Sequence, residues 1–398
     1  MLSLKITAYL ADFKNIEKQS RIDIIFLLIF FILLFIPMSK INQDKKSEAE
    51  NRNLAVYKPF IKHGKINYNF GKDYNEWFSD RFNLRKDLIK LHSSLLIKLT
   101  GRTDKGIIDK DNGFLYLNFE FKHHKSDVLK KNIAEIYRLN DFCNDNNIKL
   151  YVLITPQKTD IYKTNKSYIK ENSLHEDFIN YVNEIKKEGK LKLIYPYEPL
   201  LEGAKENYMF FKTEHHWTDD GAFIGYKELM KEIKKDFQFV KEVTANDYEY
   251  FYNKKIRGDF DRKFHFGTSC RRIGVYYFAK KYHKDSYRYY KHKNFDNLKV
   301  ETIIKHPKMQ KEFYYPNGAD LKAVMLGTSQ HENLTEFIPF TFKYTKRLRI
   351  ARHKDAIDET HKYIKYYKQE ILDFKPDILI YCIIYSMLDE QYNLFLME

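Results

Sequence analysis

Five short apolar runs, each bounded by polar or turn residues, constrain this chain more than any other feature. "IKLYVLITP" follows an amphipathic segment that Ser126 caps and that runs through Phe142. "LKLIYP" follows a second helix-like segment, residues 178–185. "LKAVMLG" and "KRLRIA" come later, and "ILIYCII" follows a helix end and the break Lys375-Pro376-Asp377. Runs of this length, alternating with segments of helical period, predict strands buried on both faces and covered by helices. The fold class expected is therefore α/β, a mostly parallel sheet flanked by helices.

The N-terminal part reads differently. Residues 24–36, "IIFLLIFFILLFI", are apolar without interruption, with Asp23 before and Pro37 after. "PMSKINQDKK" offers no small-residue cleavage site, so the segment is read as an uncleaved signal anchor over 22–38, with 1–21 on the cytoplasmic side. Lys5, Lys14, Lys18 and Arg21 before it balance Lys40, Lys45, Lys46 and Arg52 after it, so flanking charge does not orient it. Residues 39–57 are polar and read as a linker. Residues 58–122 form a membrane-proximal helical region, in which Trp77, Phe78, Phe82, Leu84, Leu88, Leu91 and Leu95 recur at helical spacing. Residues 123–398 carry the sheet.

A formal net charge of +15 draws the chain toward anionic surfaces or polymers without choosing among them. No nucleic-acid motif accompanies that charge, so nucleic acid is set aside as a partner. Cys143, Cys270 and Cys382 are too few for a disulfide framework and lack metal-ligand spacing. No cofactor or metal is expected.

In a sheet of this kind chemistry gathers where strands end and helices begin. "LKAVMLG" runs into "GTSQHENLTEF", placing Ser329 on the turn after a buried strand, where backbone N–H groups can hold an oxyanion. A second Gly-Thr-Ser, residues 267–269, follows no buried strand. A serine needs a base, and "TEHHWT" offers one: Glu214 and His216 are two apart and share a side of an extended segment, with His215 opposite. The carboxylate can then fix the imidazole tautomer while the other ring nitrogen faces Ser329. Each piece alone reads equally well as a solvated loop, and Trp217 reads as packing.

Together these pieces resemble the alginate O-acetyltransferase group, the AlgJ/AlgX or DHHW type, whose catalytic domain is SGNH-hydrolase-like. Its Thr-Asp-x-His-Trp motif is similar to Thr213-Glu214-His215-His216-Trp217 with Gly221 and Phe223 after it. Its serine motif is similar to Gly327-Thr328-Ser329. "YNEWFSDRFNLR", "DNGFLY", "TPQKTDIY" and "FKPDILIY" resemble further family segments in the family's order. The resemblance implies Ser329 as nucleophile, His216 as general base and acid, and Glu214, in place of the family's Asp, as orienting carboxylate. Asn333 is an oxyanion candidate, Lys158 a substrate-contact candidate, and His331 a third residue of interest. It further implies acetyl transfer onto an exported, anionic polysaccharide outside the cytoplasm, with a multi-spanning membrane O-acyltransferase as donor partner. Two other readings fit the residues: an acetyl esterase with the same triad, and a non-catalytic, membrane-tethered glycan-binding protein.

Overall fold

The computed structural model describes residues 18–47, 52–103, 106–109, 113–117, 126–162, 173–212, 215–252, 287–305, 308–350 and 357–388. The described residues through Thr100 gather into one compact unit and those from Gly101 onward into another.

In the first unit, α1 (Lys18–Phe35) ends in a 3-10 turn, Ile36–Met38. This helix has 18 residues and carries Lys18, Arg21 and Asp23 at its start. Among the described residues no helix is long and apolar enough to cross a membrane. Two further helices follow, α2 (Phe70–Arg81) and α3 (Arg85–Thr100). The sequence pattern reads through this region as one helical layer, but the chain breaks between them. Leu84 takes a left-handed φ of 62°, and its N–H bonds to the Asn83 side chain at 3.0 Å. An Asn side chain that satisfies a neighbouring backbone N–H competes with the helix at that point. The segment read as a linker is bonded onto the end of α2. Arg81, buried, donates to the carbonyls of Asn42, Asp44 and Ala55 at 2.7 to 2.9 Å.

The second unit is built on a seven-stranded sheet. Its helices are α4 (Ser126–Asp145), the short α5 (Lys158–Ile161), α6 (Ser173–Glu188), α7 (Tyr197–Gly203), α8 (Asp219–Asp236) and α9 (Ile357–Phe374). A small three-stranded antiparallel sheet, Arg102–Thr103, Gly106–Ile108 and Leu115–Leu117, occupies the end of the stretch read from sequence as helical. The remaining strands in chain order are β1 (Lys149–Thr155), β2 (Leu193–Ile194), β3 (Tyr248–Tyr252), β4 (Arg288–His292), β5 (Lys299–Lys305), β6 (Lys308–Tyr314), β7 (Ala319–Gly327), β8 (Phe342–Arg349) and β9 (Ile378–Ile384). The sheet runs β5-β6-β8-β7-β9-β1-β2, while β3 and β4 pair in a separate antiparallel ribbon. The five strands from β8 to β2 are mutually parallel, as the apolar runs predict. The edge hairpin β5–β6 joins antiparallel, so the sheet is mixed. "KVETIIK" and "KMQKEFY" mix polar and apolar residues with neither strict alternation nor a continuous apolar run, a weaker strand signal.

Alternation within the central strands fills two cores. Leu150, Val152 and Ile154 of β1, with Val324 and Leu326 of β7, pack with Ile136 of α4, Phe178 and Val182 of α6 and Ile371 of α9. Tyr151 and Leu153, with Ala323 and Met325, pack on the other face with Tyr226, Leu229 and Ile233 of α8. Successive side chains of a strand point to opposite faces, so a strand that is apolar at every position requires cover on both. β7 lies at the middle of this arrangement, and its last residue, Gly327, sits level with Cys382 of β9 and Arg349 of β8. Cys143 and Cys382 are buried free thiols, and burial pushes the Cys143 thiol up to about 12. Cys270 lies outside the described residues.

Candidate active site

Ser329 opens a 3-10 helix, Ser329–Glu336, directly after β7, with Thr328 as its cap residue in extended conformation. Gly327 is needed there for space: a Cβ on it would lie 2.2 Å from the Cys382 carbonyl oxygen. The parallel neighbours therefore approach closely at the carboxyl edge, and Thr328 N–H continues the contact by donating to the same oxygen at 3.2 Å. A serine at the start of a helix lies beside N–H groups that have no partner within the helix, the arrangement an oxyanion requires.

The histidine arrives from the other side. Residues 209–211 and 216–218 pair across a tight excursion: Phe211 N–H donates to His216 O at 3.1 Å, Thr218 N–H to Met209 O at 2.9 Å, and Phe210 bridges Trp217. Thr218 then caps α8, its side chain accepting from Gly221 N–H at 3.2 Å. His216 is 9% exposed, and its Nε2 lies 2.7 Å from Ser329 Oγ, across 113 positions of sequence. That distance permits direct proton transfer. The His215 ring lies against it, tilted by 38°, with centroids 4.0 Å apart. Thr213 and Glu214 lie outside the described residues, as does the second Gly-Thr-Ser at 267–269.

Two cross-links fix the histidine segment to the serine turn. Trp217, fully buried, donates its indole N–H to Gln330 O at 2.9 Å. Gln330 in return donates its side-chain amide to His215 O at 3.2 Å. The indole has room because Gly225 has no side chain: a Cβ there would meet Trp217 Cζ3 at 2.6 Å. Trp217, read from sequence as packing, is thus also a hydrogen-bonding strut.

The first turn of α8 adds two buried carboxylates. Asp219 accepts from Asn333 Nδ2 at 3.2 Å and from Tyr290 N–H at 3.1 Å. Asp220 accepts from Arg288 Nε at 2.8 Å and from Tyr290 OH at 2.7 Å. Negative charge at a helix N-terminus is favourable, and these bonds tie α8 to β4 and to the serine helix. The sequence reading passed over both residues, although Thr218-Asp219-Asp220 carries the composition of a helix start.

The other candidates fall into place as supports. Asn333 is buried, its amide engaged with Asp219. Lys158 is buried, its ammonium donating to Leu115 O and to Phe211 O at 3.5 Å, and lying over the Tyr116 ring at 5.2 Å. It holds the chain just before the histidine excursion and does not reach an open surface. His331 is fully buried and its Nδ1 bonds to Thr328 O. Burial first, and then the Arg347 and Arg349 charges, push it down to about 3, so at neutral pH it is uncharged. Among the described residues no cluster of His, Cys, Asp and Glu is suited to a metal.

The arrangement is a serine with a histidine base at a sheet's carboxyl edge, which is suited to acyl transfer. Comparison with known proteins bears on the fold and on which proteins the chain resembles. Residues 108–292 match the family model described as "SGNH hydrolase-like domain, acetyltransferase AlgX", a span that holds His216 and ends before Ser329. The chain is 27% identical over 176 residues to a probable alginate O-acetylase AlgJ of Azotobacter vinelandii, covering 44% of each chain. It is 24% identical over 173 residues to the corresponding protein of Pseudomonas fluorescens, covering 42% of this chain and 43% of that one. The matched stretch thus spans less than half the length of these relatives. Among solved structures, Bacillus cereus PatB1 with a sulfonyl adduct aligns at a TM-score of 0.54 and 19% identity, covering 73% of this chain and 99% of that one. At that identity the likeness concerns the fold.

Proposed function

We propose that this chain, which matches the AlgX acetyltransferase model over residues 108–292 and resembles probable alginate O-acetylases AlgJ, transfers acetyl groups through Ser329 onto hydroxyls of an exported polysaccharide. The 2.7 Å contact between His216 Nε2 and Ser329 Oγ carries this reading. In the first step Ser329 Oγ bonds to the acetyl carbonyl carbon as its proton passes to His216 Nε2. The carbonyl oxygen becomes an oxyanion beside the first N–H groups of the serine helix. His216 then returns the proton to the departing donor group, leaving acetyl-Ser329. In the second step a sugar hydroxyl gives its proton to His216, attacks the acetyl carbon, and releases Ser329 with its proton restored. Glu214 is assigned the orientation of His216 from its place in the sequence motif. Trp217 and Gln330 hold His216 and Ser329 in register.

The acceptor is proposed to be an anionic glycan, on the chain's positive charge. The donor partner is proposed to be a multi-spanning membrane O-acyltransferase, on the family resemblance. Placement at a membrane, with the α/β unit outside the cytoplasm, is likewise proposed. It is supported by α1, on which residues 25–35 each expose between 47% and 66% of their surface although all are apolar. A helix apolar on every side is suited to lipid, not water.

The test is to incubate the full chain in detergent with an activated acetyl ester and to locate covalent acetyl by peptide mass spectrometry. Acetyl should appear on Ser329, be absent in Ser329→Ala, and form on the order of a thousandfold more slowly in His216→Ala. A folded wild-type protein that carries no acetyl on Ser329 overturns the mechanism. Adding acidic oligosaccharides then separates transfer from hydrolysis: transfer moves the label to sugar, whereas release as acetate alone makes the protein an esterase.

A further inference from the structure

The first unit carries an apolar face that its own packing does not use. Leu88, Leu91, Leu95 and Leu99 recur at spacings of three and four along α3, and so share one side of the helix. Their exposure runs from 44% to 78%, whereas Ile97 on another side is fully buried. An amphipathic helix ordinarily turns such a stripe inward, and a contiguous exposed one marks an interaction surface.

Two observations say what covers it. The first is continuity with α1. Asn83, just ahead of α3, donates its side-chain amide to Ser39 Oγ at 3.0 Å, one residue beyond the 3-10 turn that ends the apolar helix. The Asn42 N–H donates to Arg81 O at 2.8 Å, and the Arg81 side chain clamps the same strand of chain. The leucine stripe therefore begins beside the point where the apolar helix ends, and the buried guanidinium makes that joint stiff. The second is charge. Residues 39–100 hold ten Lys and three Arg against four Asp and three Glu, an excess suited to an anionic surface. Exposed Phe60 and Tyr68 stand among Lys58, Lys62 and Lys65, a mixture suited to the boundary between headgroups and acyl chains.

We infer that α3 lies in the surface of an anionic phospholipid bilayer, with its leucine stripe sunk to the acyl boundary and Arg81 fixing it to the end of α1. This rests on the membrane placement proposed above. A helix that lies in the interface needs an apolar face, a polar face with lysines and little net hydrophobicity, and α3 has all three. Lys86 and Lys98 can extend to headgroups, and Lys86 already reaches Asp44 at 3.3 Å.

The test uses the full chain in a Cys270→Ser background, in which Cys143 and Cys382 are buried. Leu95→Cys or Lys86→Cys is labelled with an environment-sensitive fluorophore and the protein is reconstituted into phosphatidylglycerol-rich vesicles. The fluorophore at 95 should shift to the blue and be quenched by lipids brominated in their acyl chains. The fluorophore at 86 should remain water-like. Protein that floats with the vesicles while position 95 stays in water overturns the inference and leaves the membrane placement standing. Protein that does not float overturns both. Protection of position 95 only after a membrane protein is added would assign the stripe to a protein partner and overturn the lipid assignment.

Discussion

Trp217→Phe tests whether the histidine and the serine are held together by the indole strut. The substitution removes the donor to Gln330 O, a 2.9 Å bond inside a fully buried site. An orphaned buried carbonyl costs about 1 to 3 kcal/mol. The smaller ring leaves part of the indole's space over Gly225 empty, for roughly 1 to 2 kcal/mol more. A loss of about 2 to 4 kcal/mol is therefore expected, read from the urea midpoint at unchanged slope. His216 precedes Trp217 directly, so the same change loosens the 2.7 Å contact with Ser329. A misplacement approaching 1 Å lowers the rate by up to about a hundredfold, measured as acetylation of Ser329 under conditions where the variant remains folded. Gln330→Ala is the companion. It deletes the 3.2 Å bond to His215 O and part of a buried side chain but keeps the backbone carbonyl, for about 1 to 2 kcal/mol. Unfolding of Trp217→Phe at the wild-type midpoint with acylation at the wild-type rate, or greater damage from Gln330→Ala, would refute the role of the indole as a strut.

Two further expectations follow from the turn itself. Gly327→Ala places a Cβ 2.2 Å from the Cys382 carbonyl oxygen, and backbone cannot swing aside as a side chain can. A loss of at least about 1 to 3 kcal/mol in urea unfolding is expected, with slower acylation because Ser329 is two residues on. His331 gives a pH signature. Its folded value, about 3, lies below the ordinary 6.5, so the unfolded chain binds the extra proton first. Stability from this group is therefore full above pH 6.5 and is lost as pH falls toward 3, at up to about 1.4 kcal/mol per unit. His331→Asn, which keeps a donor for Thr328 O, should show a shallower decline of unfolding free energy between pH 6 and pH 4 than wild type. Parallel declines in the two proteins would remove His331 from the account.

Much of this protein is legible in the chain because its strongest signals are local. A strand apolar at every position, such as "ILIYCII", must be covered on both faces wherever it goes, and the parallel centre of the sheet follows. Ser329 could be singled out because a Gly-Thr-Ser after such a strand falls at the sheet's carboxyl edge. His216 is legible by motif and can be paired with Ser329 as its base from sequence, whereas the 2.7 Å contact across 113 positions is made by the fold. The residues missed are those whose roles depend on distant partners. Asp219 and Asp220 look like a helix start, and nothing nearby in sequence announces Tyr290, Arg288 or Asn333 as their donors. The antiparallel hairpin at the edge is not legible for a different reason, since "KVETIIK" and "KMQKEFY" have neither a strict period of two nor a continuous apolar run. Lys158 shows the limit most plainly. From its place in the family-like segment "TPQKTDIY" it reads as a candidate substrate contact, yet tertiary packing turns it inward, where the Leu115 and Phe211 carbonyls and an aromatic ring replace the water it gives up. Sequence determined which elements form and which residues have the chemistry to act. The tertiary structure decided which of them meet, because burial permits a polar group only the partners that packing brings within reach.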